Sequence, residues 1–410
     1  MGIWEILMAG DKFICSKMFT DMNIKFPYDG LKNCCKSTDY IISDDELDAL
    51  SREGKNVLTH NAEYQRRKHE MVVNNQLPDR GCDTCIRTEP NSLFRSWNIW
   101  RDDLPSNEQL LNGDNFTTYE FVLSSACDLK CVYCSEDDST SWAKELGVPV
   151  NKGNTKWKDK ILADLITHLK AKQYIAGKDY FFFFSGGEPT YNTETLPLIM
   201  EIIDIVPAPT IIISTNINMK LKIMDRYLSA VQDNPNVQWT FDCSIDDIGA
   251  HAEAVRYGLD WDRAIANIRR IMEQPNAKVR ISPTVNMYSL PQMFAFVKYF
   301  HELFIECNRA DSSIFNFNMV QEDNLSPWSM PLEYAPILDA AIEYCEVHNL
   351  KFATHLRNVQ RLIGTKINRT TVTHVEAKWS YFMARRPDTD WPALFPHIED
   401  IITTLKLVKD

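Results

Sequence analysis

Apolar positions along the chain change their rhythm near residue 116. Residues 1 to about 110 show little regular periodicity, apart from a helical pattern over NAEYQRRKHEMVVNN (61–75). From there on, short β-rich apolar runs alternate with longer runs whose apolar residues recur every three to four positions. The runs that predict strands are TYEFVLS (118–124), YFFFFS (180–185), TIIIST (210–215), VQWTFDCSI (237–245), KVRISPTVN (278–286) and IFNFNMV (314–320). Helical runs such as WKDKILADLITHLKAK, TETLPLIMEIIDI, KLKIMDRYLSAVQ, DWDRAIANIRRIMEQ and LPQMFAFVKYFHELF lie between them. Six strand–helix repeats imply parallel strands with crossover helices. Such strands are buried on both faces, which suits runs like FFFF and III. After NLSPWSMP the pattern is mostly helical to residue 410. The predicted organisation is a cysteine-rich segment over 1–110, an α/β domain over 111–325 and a helical region over 326–410.

Three of the predicted strands carry a polar stripe. Thr240, Asp242, Ser244 and then Asp246 share one face, opposite Trp239, Phe241, Cys243 and Ile245. Arg280, Ser282, Thr284 and Asn286 share another, as do Asn316 and Asn318. Helices should cover the outer side of a parallel sheet, so the stripes predict a wet cavity on the inner side.

Composition adds limits. The 410 residues are 44% hydrophobic and 24% charged, a globular balance long enough for one large core or several domains. A net charge of −12 gives no support to nucleic-acid binding. No apolar run approaches the ~20 residues of a membrane span. The start, MGIWEILMAGDKF, lacks a basic region and carries Glu5 within its apolar stretch, unlike a signal peptide. A soluble, cytoplasmic protein is expected, with reduced thiols that serve metal sites or catalysis rather than disulfides.

Eight of the 11 cysteines fall within the first 134 residues. Cys243, Cys307 and Cys345 stand alone, as small buried hydrophobes do. Directly after the first strand comes CDLKCVYC, which sets Cys127, Cys131 and Cys134 four and then three apart. Thiolates bind iron–sulfur clusters, and a cubane has four irons, normally with one thiolate each. Three thiolates on one loop leave the fourth iron open. Zinc is the rival, but structural zinc takes four closed ligands, usually as separated pairs. The spacing therefore favours a cluster.

ACDLKCVYC after a first strand resembles the CxxxCxΦC signature of radical S-adenosylmethionine (SAM) enzymes, with Tyr133 as the aromatic. The resemblance implies a partial (β/α)6 barrel, a [4Fe–4S] cluster and SAM chelated at its open iron. It also implies reductive cleavage of SAM to a 5′-deoxyadenosyl radical that abstracts a substrate hydrogen. An electron donor such as a flavodoxin or ferredoxin is implied as a partner. FSGGEP (184–189) is similar to the family's GGEP turn, so Gly186, Gly187, Glu188 and Pro189 are expected to hold the SAM amino group. Glycines there permit close backbone approach. Ser214 and Asn216 of STN, with Ser244 of CSID, sit where the family places contacts to the SAM ribose and carboxylate. Arg256 matches the downstream arginine that some members use. Asp242 and Asp246 are candidate catalytic bases, or ligands of ribose hydroxyls.

The N-terminal cysteines resemble an auxiliary-cluster module of the twitch or SPASM-like type. There, a cysteine precedes DG…CC, a helix follows, and GCxxC closes the set. Cys15, YDGLKNCCKS with Cys34 and Cys35, NAEYQRRKHEM, and RGCDTC with Cys82 and Cys85 fit in that order. The module often follows the barrel, whereas here it precedes it. From Gly30 the usual Gly-x4-Cys spacing reaches Cys35, whereas alignment on the pair selects Cys34. A second, auxiliary [4Fe–4S] cluster is implied, with structural zinc as the alternative. Such modules accompany peptide- and protein-modifying members, so a peptide substrate is expected. The alternatives are a small molecule, such as a nucleotide or sugar derivative, and a non-catalytic iron–sulfur or zinc-binding protein.

Overall fold

A computed structural model of the chain describes residues 15–28, 30–34, 40–76, 78, 82, 105–113, 115–150, 153, 155–311, 313–322, 324–367 and 369–407. Its strands are β1 (Asp21–Lys25), β2 (Gly30–Lys32), β3 (Tyr40–Ile41), β4 (Thr118–Val122), β5 (Lys130–Cys131), β6 (Phe181–Ser185), β7 (Thr210–Thr215), β8 (Gln238–Cys243), β9 (Arg256–Tyr257), β10 (Ala277–Ile281), β11 (Thr284–Val285) and β12 (Asn318–Met319). Eight of them form one mainly parallel sheet, in the order β10-β8-β7-β6-β4-β1-β2-β3. This α/β fold is consistent with the expected partial barrel, and its C-terminal region is helical. No helix among the described residues is long and apolar enough to cross a membrane.

The chain divides into two compact units, one of residues up to 125 with 150–212, the other of 126–149 with 213–410. In the first unit β4 lies parallel to β6, with Tyr119 opposite Phe182 and Phe121 opposite Phe184. Both pairs stack, at centroid distances of 5.1 and 5.0 Å. Each such cross-strand pair is worth about 0.5–1.5 kcal/mol beyond its burial. The run of four phenylalanines is thus not uniform: Phe182 and Phe184 are buried, whereas Phe181 and Phe183 are half-buried. Helix α4 (Thr155–Ala171) buries Trp157, Ile161, Leu165 and Leu169, a stripe of period close to four.

The N-terminal segment extends this sheet. β1 runs parallel to β4, and β2 and β3 follow in antiparallel pairs. These strands went unread in the sequence because five, three and two residues are too few to establish a period of two. Helix α1 (Asp44–Arg52) starts at Ser43, whose side chain accepts from the Glu46 N–H. Helix α2 (Ala62–Val72) starts at Asn61, within the predicted helical stretch.

In the second unit α3 (Thr140–Leu146) precedes the helices α6 (Leu221–Asp233), α7 (Gly249–Val255), α8 (Trp261–Met272) and α9 (Met293–Glu306), while α5 (Thr195–Ile205) belongs to the first. The predicted strand 278–286 is split after Ile281, because Pro283 has no N–H for the ladder. The predicted sixth strand shrinks to β12, parallel to β11, with one further bridge from Phe315 to Ile281. Its aromatic residues turn instead to the helix α11 (Phe352–Leu362), after α10 (Asp339–Val347): Phe315 stacks on Phe352 and Phe317 on His355. Helices α12 (Arg369–Arg385) and α13 (Pro396–Lys406) close the chain. Tyr288 meets Trp379, Phe382, Trp391 and Phe395 in one aromatic cluster.

Candidate active site

The three-cysteine loop follows β4 and is held from two sides. β5 within it pairs with β9, which sets Cys131 opposite Arg256. The start of α3 grips the other side. Ser139 donates to the Leu129 carbonyl at 2.7 Å, Ser141 to the Cys127 carbonyl at 2.8 Å, and the Trp142 indole N–H to the Cys131 carbonyl at 3.0 Å. Serines and threonines at a helix start have short hydroxyls that serve loop backbone in this way. Two of the thiols face N–H donors: Leu129 N–H lies 3.4 Å from Cys127 Sγ, and Arg256 Nη1 lies 3.8 Å from Cys131 Sγ.

Arg256 is buried and joins the loop to the end of β8. Its Nη2 donates to Asp246 Oδ1 at 3.0 Å. Its Nε lies 2.9 Å from Asp246 Oδ2, an ion-pair distance without hydrogen-bond alignment. Its guanidinium sits 5.5 Å from the Tyr133 ring centroid. Tyr133 donates its phenol to Asp246 Oδ2 at 2.6 Å, and the Thr284 N–H reaches Asp246 Oδ1 at 2.7 Å. Burial works against the Arg256 charge, but the Asp246 carboxylate holds its pKa well above the ordinary value. Burial pushes Cys131 up to about 11, the Arg256 charge opposing, and pushes Cys134 up to about 12. Without a metal these thiols are neutral; a coordinated metal takes the place of the proton.

The polar stripe of β8 and β10 pairs internally. Arg280 forks onto Asp242 at 2.6 and 2.7 Å, as their register dictates. Asp242 and Asp246 therefore both face cations. Asn216 follows β7 and donates to Asp128 Oδ1 at 2.8 Å, while Asn218 donates to Asp128 Oδ2 at 2.9 Å. Between them Ile217 has φ of 57°, unusual for a β-branched residue. Asn267 secures that turn by donating to the carbonyls of Ile217 and Met219. Ser214, on β7, and Ser244, just past β8, are half-buried.

In the first unit the GGEP turn closes β6. Gly186 has φ of 113°, and a Cβ there would sit 2.9 Å from Val122 Cγ1 and 3.0 Å from the Ser124 carbonyl. Only glycine fits that approach. Gly187 N–H donates to the same carbonyl at 3.1 Å. Glu188 is buried, and its Oε1 accepts from the Thr190 N–H at 2.9 Å and the Thr190 hydroxyl at 2.5 Å. Pro189 is buried beside it.

Sequence reasoning missed Asp128, Asn218 and the partnership of Tyr133 with Asp246. The spacing N-x-N was the available signal, since alternate residues of an extended segment face one way. Asp247 was missed too. It is buried, one oxygen accepts from the Ile248 N–H, and Oδ2 has no hydrogen-bond partner among the described residues. Burial raises its carboxyl pKa well above the usual range.

The N-terminal cysteines are placed in part. Cys15 sets its N–H 3.4 Å from Met71 Sδ of α2, and Cys34 lies two residues after β2. Cys82 is half-buried, and Cys35 and Cys85 lie outside the described residues. A zinc ion needs ligand atoms at about 2.0–2.3 Å from one point. Among the described residues no three His, Cys, Asp or Glu side chains converge in that way. A cubane instead gives each thiolate its own iron. Three thiols on a short loop, with N–H groups near two sulfurs, fit that donor set.

No curated protein matches the chain in sequence. A crystal structure of Streptococcus suis SuiB bound to precursor peptide SuiA shows 16% identity over 82% of this chain and 71% of that one, with a TM-score of 0.34. SuiB bound to S-adenosylmethionine gives 15% identity, 83% and 69% coverage, and a TM-score of 0.33. Likeness at this level supports no conclusion about substrate. The family model described as Radical SAM superfamily matches residues 121–286. That span holds the cysteine loop, the GGEP turn, the asparagines after β7 and Arg256, and over these residues the chain carries a radical SAM enzyme domain.

Proposed function

We propose that this enzyme modifies a peptide, with its SAM-binding [4Fe–4S] cluster on Cys127, Cys131 and Cys134 and an auxiliary cluster on the N-terminal cysteines. Bound there, the cluster and SAM supply reductive cleavage of the sulfonium and abstraction of a substrate hydrogen. The supporting observation is the loop itself: three thiols between β4 and α3, two of them facing N–H donors, with the backbone held on both sides. Glu188, oriented by Thr190, would accept a hydrogen bond from the SAM ammonium, and Gly186 and Gly187 would let the backbone come close. Ser214, Asn216 and Ser244 would hold the SAM ribose and carboxylate. Asp246 positions Arg256 and Tyr133 beside Cys131, and Asp242 holds Arg280 on the polar stripe. Residues 1–110 act as the cluster module, 111–325 as the barrel and 326–410 as a helical cover.

An auxiliary cluster with four thiolates, drawn from Cys15, Cys34 or Cys35, Cys82 and Cys85, has no open iron and serves electron transfer. The order cysteine, DG…CC, helix, GCxxC supports it, and the same resemblance points to a peptide substrate. The test is iron per chain after anaerobic reconstitution. Two cubanes predict about eight irons, falling to about four in Cys127→Ala/Cys131→Ala/Cys134→Ala. That variant loses 5′-deoxyadenosine release. Cys82→Ala/Cys85→Ala also falls to about four, retains 5′-deoxyadenosine release and loses substrate turnover; normal turnover there would end the redox role. Stimulation of 5′-deoxyadenosine release by nucleotides or sugars, and not by peptides, would replace the peptide reading.

A further inference from the structure

Strands β4 and β6 have a second end. Phe116 leads into β4, and residues 171–175, after α4, lead toward β6. With residues of α2 and the segment 59–60 they wall a cavity of about 740 Å³ in the first unit. The GGEP turn and Ser124 follow the opposite ends of the same two strands. In parallel α/β sheets the principal ligands bind outside the carboxyl ends of the strands. A cavity at the amino ends is therefore not part of the SAM site.

The lining is basic and aromatic: Lys68, Lys172, His60 and His168, with Tyr64 and Phe116 at 5.6 Å between ring centroids. Among the described residues no Asp or Glu lines it. That is a local departure in a chain of net charge −12. Lys68 is 3% exposed. Its ammonium donates to the Leu111 carbonyl, at the end of the helix Asn107–Asn112, and lies 5.0 Å from the Tyr64 ring centroid. Among the described residues it has no ion-pair partner, and burial alone pushes its pKa down to about 8. A lysine that only terminated the helix would do so from the surface, where water solvates its other N–H groups. Burying a cation with no countercharge is costly.

We propose that this cavity binds a small anion, a phosphate or carboxylate carried on a planar apolar body. Lys68 and Lys172 supply the countercharge, and Tyr64 and Phe116 supply the apolar wall. The proposal goes beyond the peptide-modifying reading and does not depend on it.

The experiment titrates the reconstituted full-length protein by calorimetry with two probes, inorganic pyrophosphate and phenylacetate. One of them is expected to bind once per chain, and which one assigns the anion to phosphate or carboxylate. Lys68→Gln is expected to weaken it by about tenfold or more, while Lys68→Arg, which keeps the charge, stays within about threefold. Iron content and 5′-deoxyadenosine release are unchanged in both. Glu188→Gln binds the probe as wild type does. Two results would overturn the proposal: neither probe saturates, or Lys68→Gln binds like wild type. Should Lys68→Gln fail to fold, Lys172→Gln at the half-buried rim carries the same test, with a loss of binding expected and unchanged binding counting against the site.

Discussion

Arg256 and Lys68 are both buried cations, and the protein treats them in opposite ways. Arg256 has its countercharge within the chain: Asp246 meets it at 2.9 and 3.0 Å, and Tyr133 covers it. Arg386 repeats the pattern just past the end of α12, donating to Glu145 at 2.7 Å beside the rings of Tyr257 and Trp142. Lys68 has one carbonyl and an aromatic face. Desolvation acts on all three, but only an internal partner offsets it. A paired buried cation fixes geometry; an unpaired one keeps the cost of its burial. Asp247 shows a third solution beside Asp246, since burial favours its neutral acid.

This contrast can be broken by substitution. The largest effect is expected for Asp246→Ala, which leaves Arg256 buried without a countercharge and costs about 3–5 kcal/mol. The measurement is denaturant unfolding of the metal-free protein, and a loss below about 1 kcal/mol would mean that the pair is not desolvated. Next is Glu145→Gln, which removes the charge facing both Arg386 and Lys130 and is expected to cost about 2–3 kcal/mol in the same assay. Asp247→Asn replaces a carboxyl whose charge burial disfavours by a neutral amide of the same shape and should stay within about 1 kcal/mol. Lys68→Met removes an unpaired charge, so the protein should lose less than about 1 kcal/mol or gain stability. A loss as large as that of Asp246→Ala would show that Lys68 has a partner.

The smallest effect sharpens the Lys68 side. Its folded-state pKa of about 8 lies below the ordinary lysine value near 10.4. Between these two values the unfolded chain binds more protons than the folded one, so the Lys68 contribution to stability rises with pH. Below about 8 the penalty of burying the ammonium is fully present. Wild type should therefore gain on Lys68→Met from pH 8 to 10, read as a narrowing or reversal of the gap between their unfolding midpoints. A constant gap would place the ammonium in water.

The strands of the α/β region were legible because each is a run of five or six apolar or alternating residues. Thr210–Thr215 appears as read, and Phe181–Ser185 and Gln238–Cys243 lose only end residues. Asn318–Met319 was over-read, since nothing local says that Phe315 and Phe317 will prefer the rings of α11. The N-terminal strands were not read at all. In the site, the cysteine loop and the Gly186 turn were legible because their chemistry is carried by residue type and spacing. The grip of Asn216 and Asn218 on Asp128 was not, because it joins residues some ninety positions apart.

By itself the amino-acid sequence determined the α/β class, the three-thiol donor set and the glycine turn after β6, all properties of neighbouring residues. Tertiary structure alone decided which charges meet. It gave Asp246 to Arg256 and Tyr133, and Asp242 to Arg280, and it left Lys68 facing a cavity among histidines and aromatic rings. The reason is physical: periodicity is a local property, whereas the energy of a buried charge depends on whichever distant groups the fold packs around it.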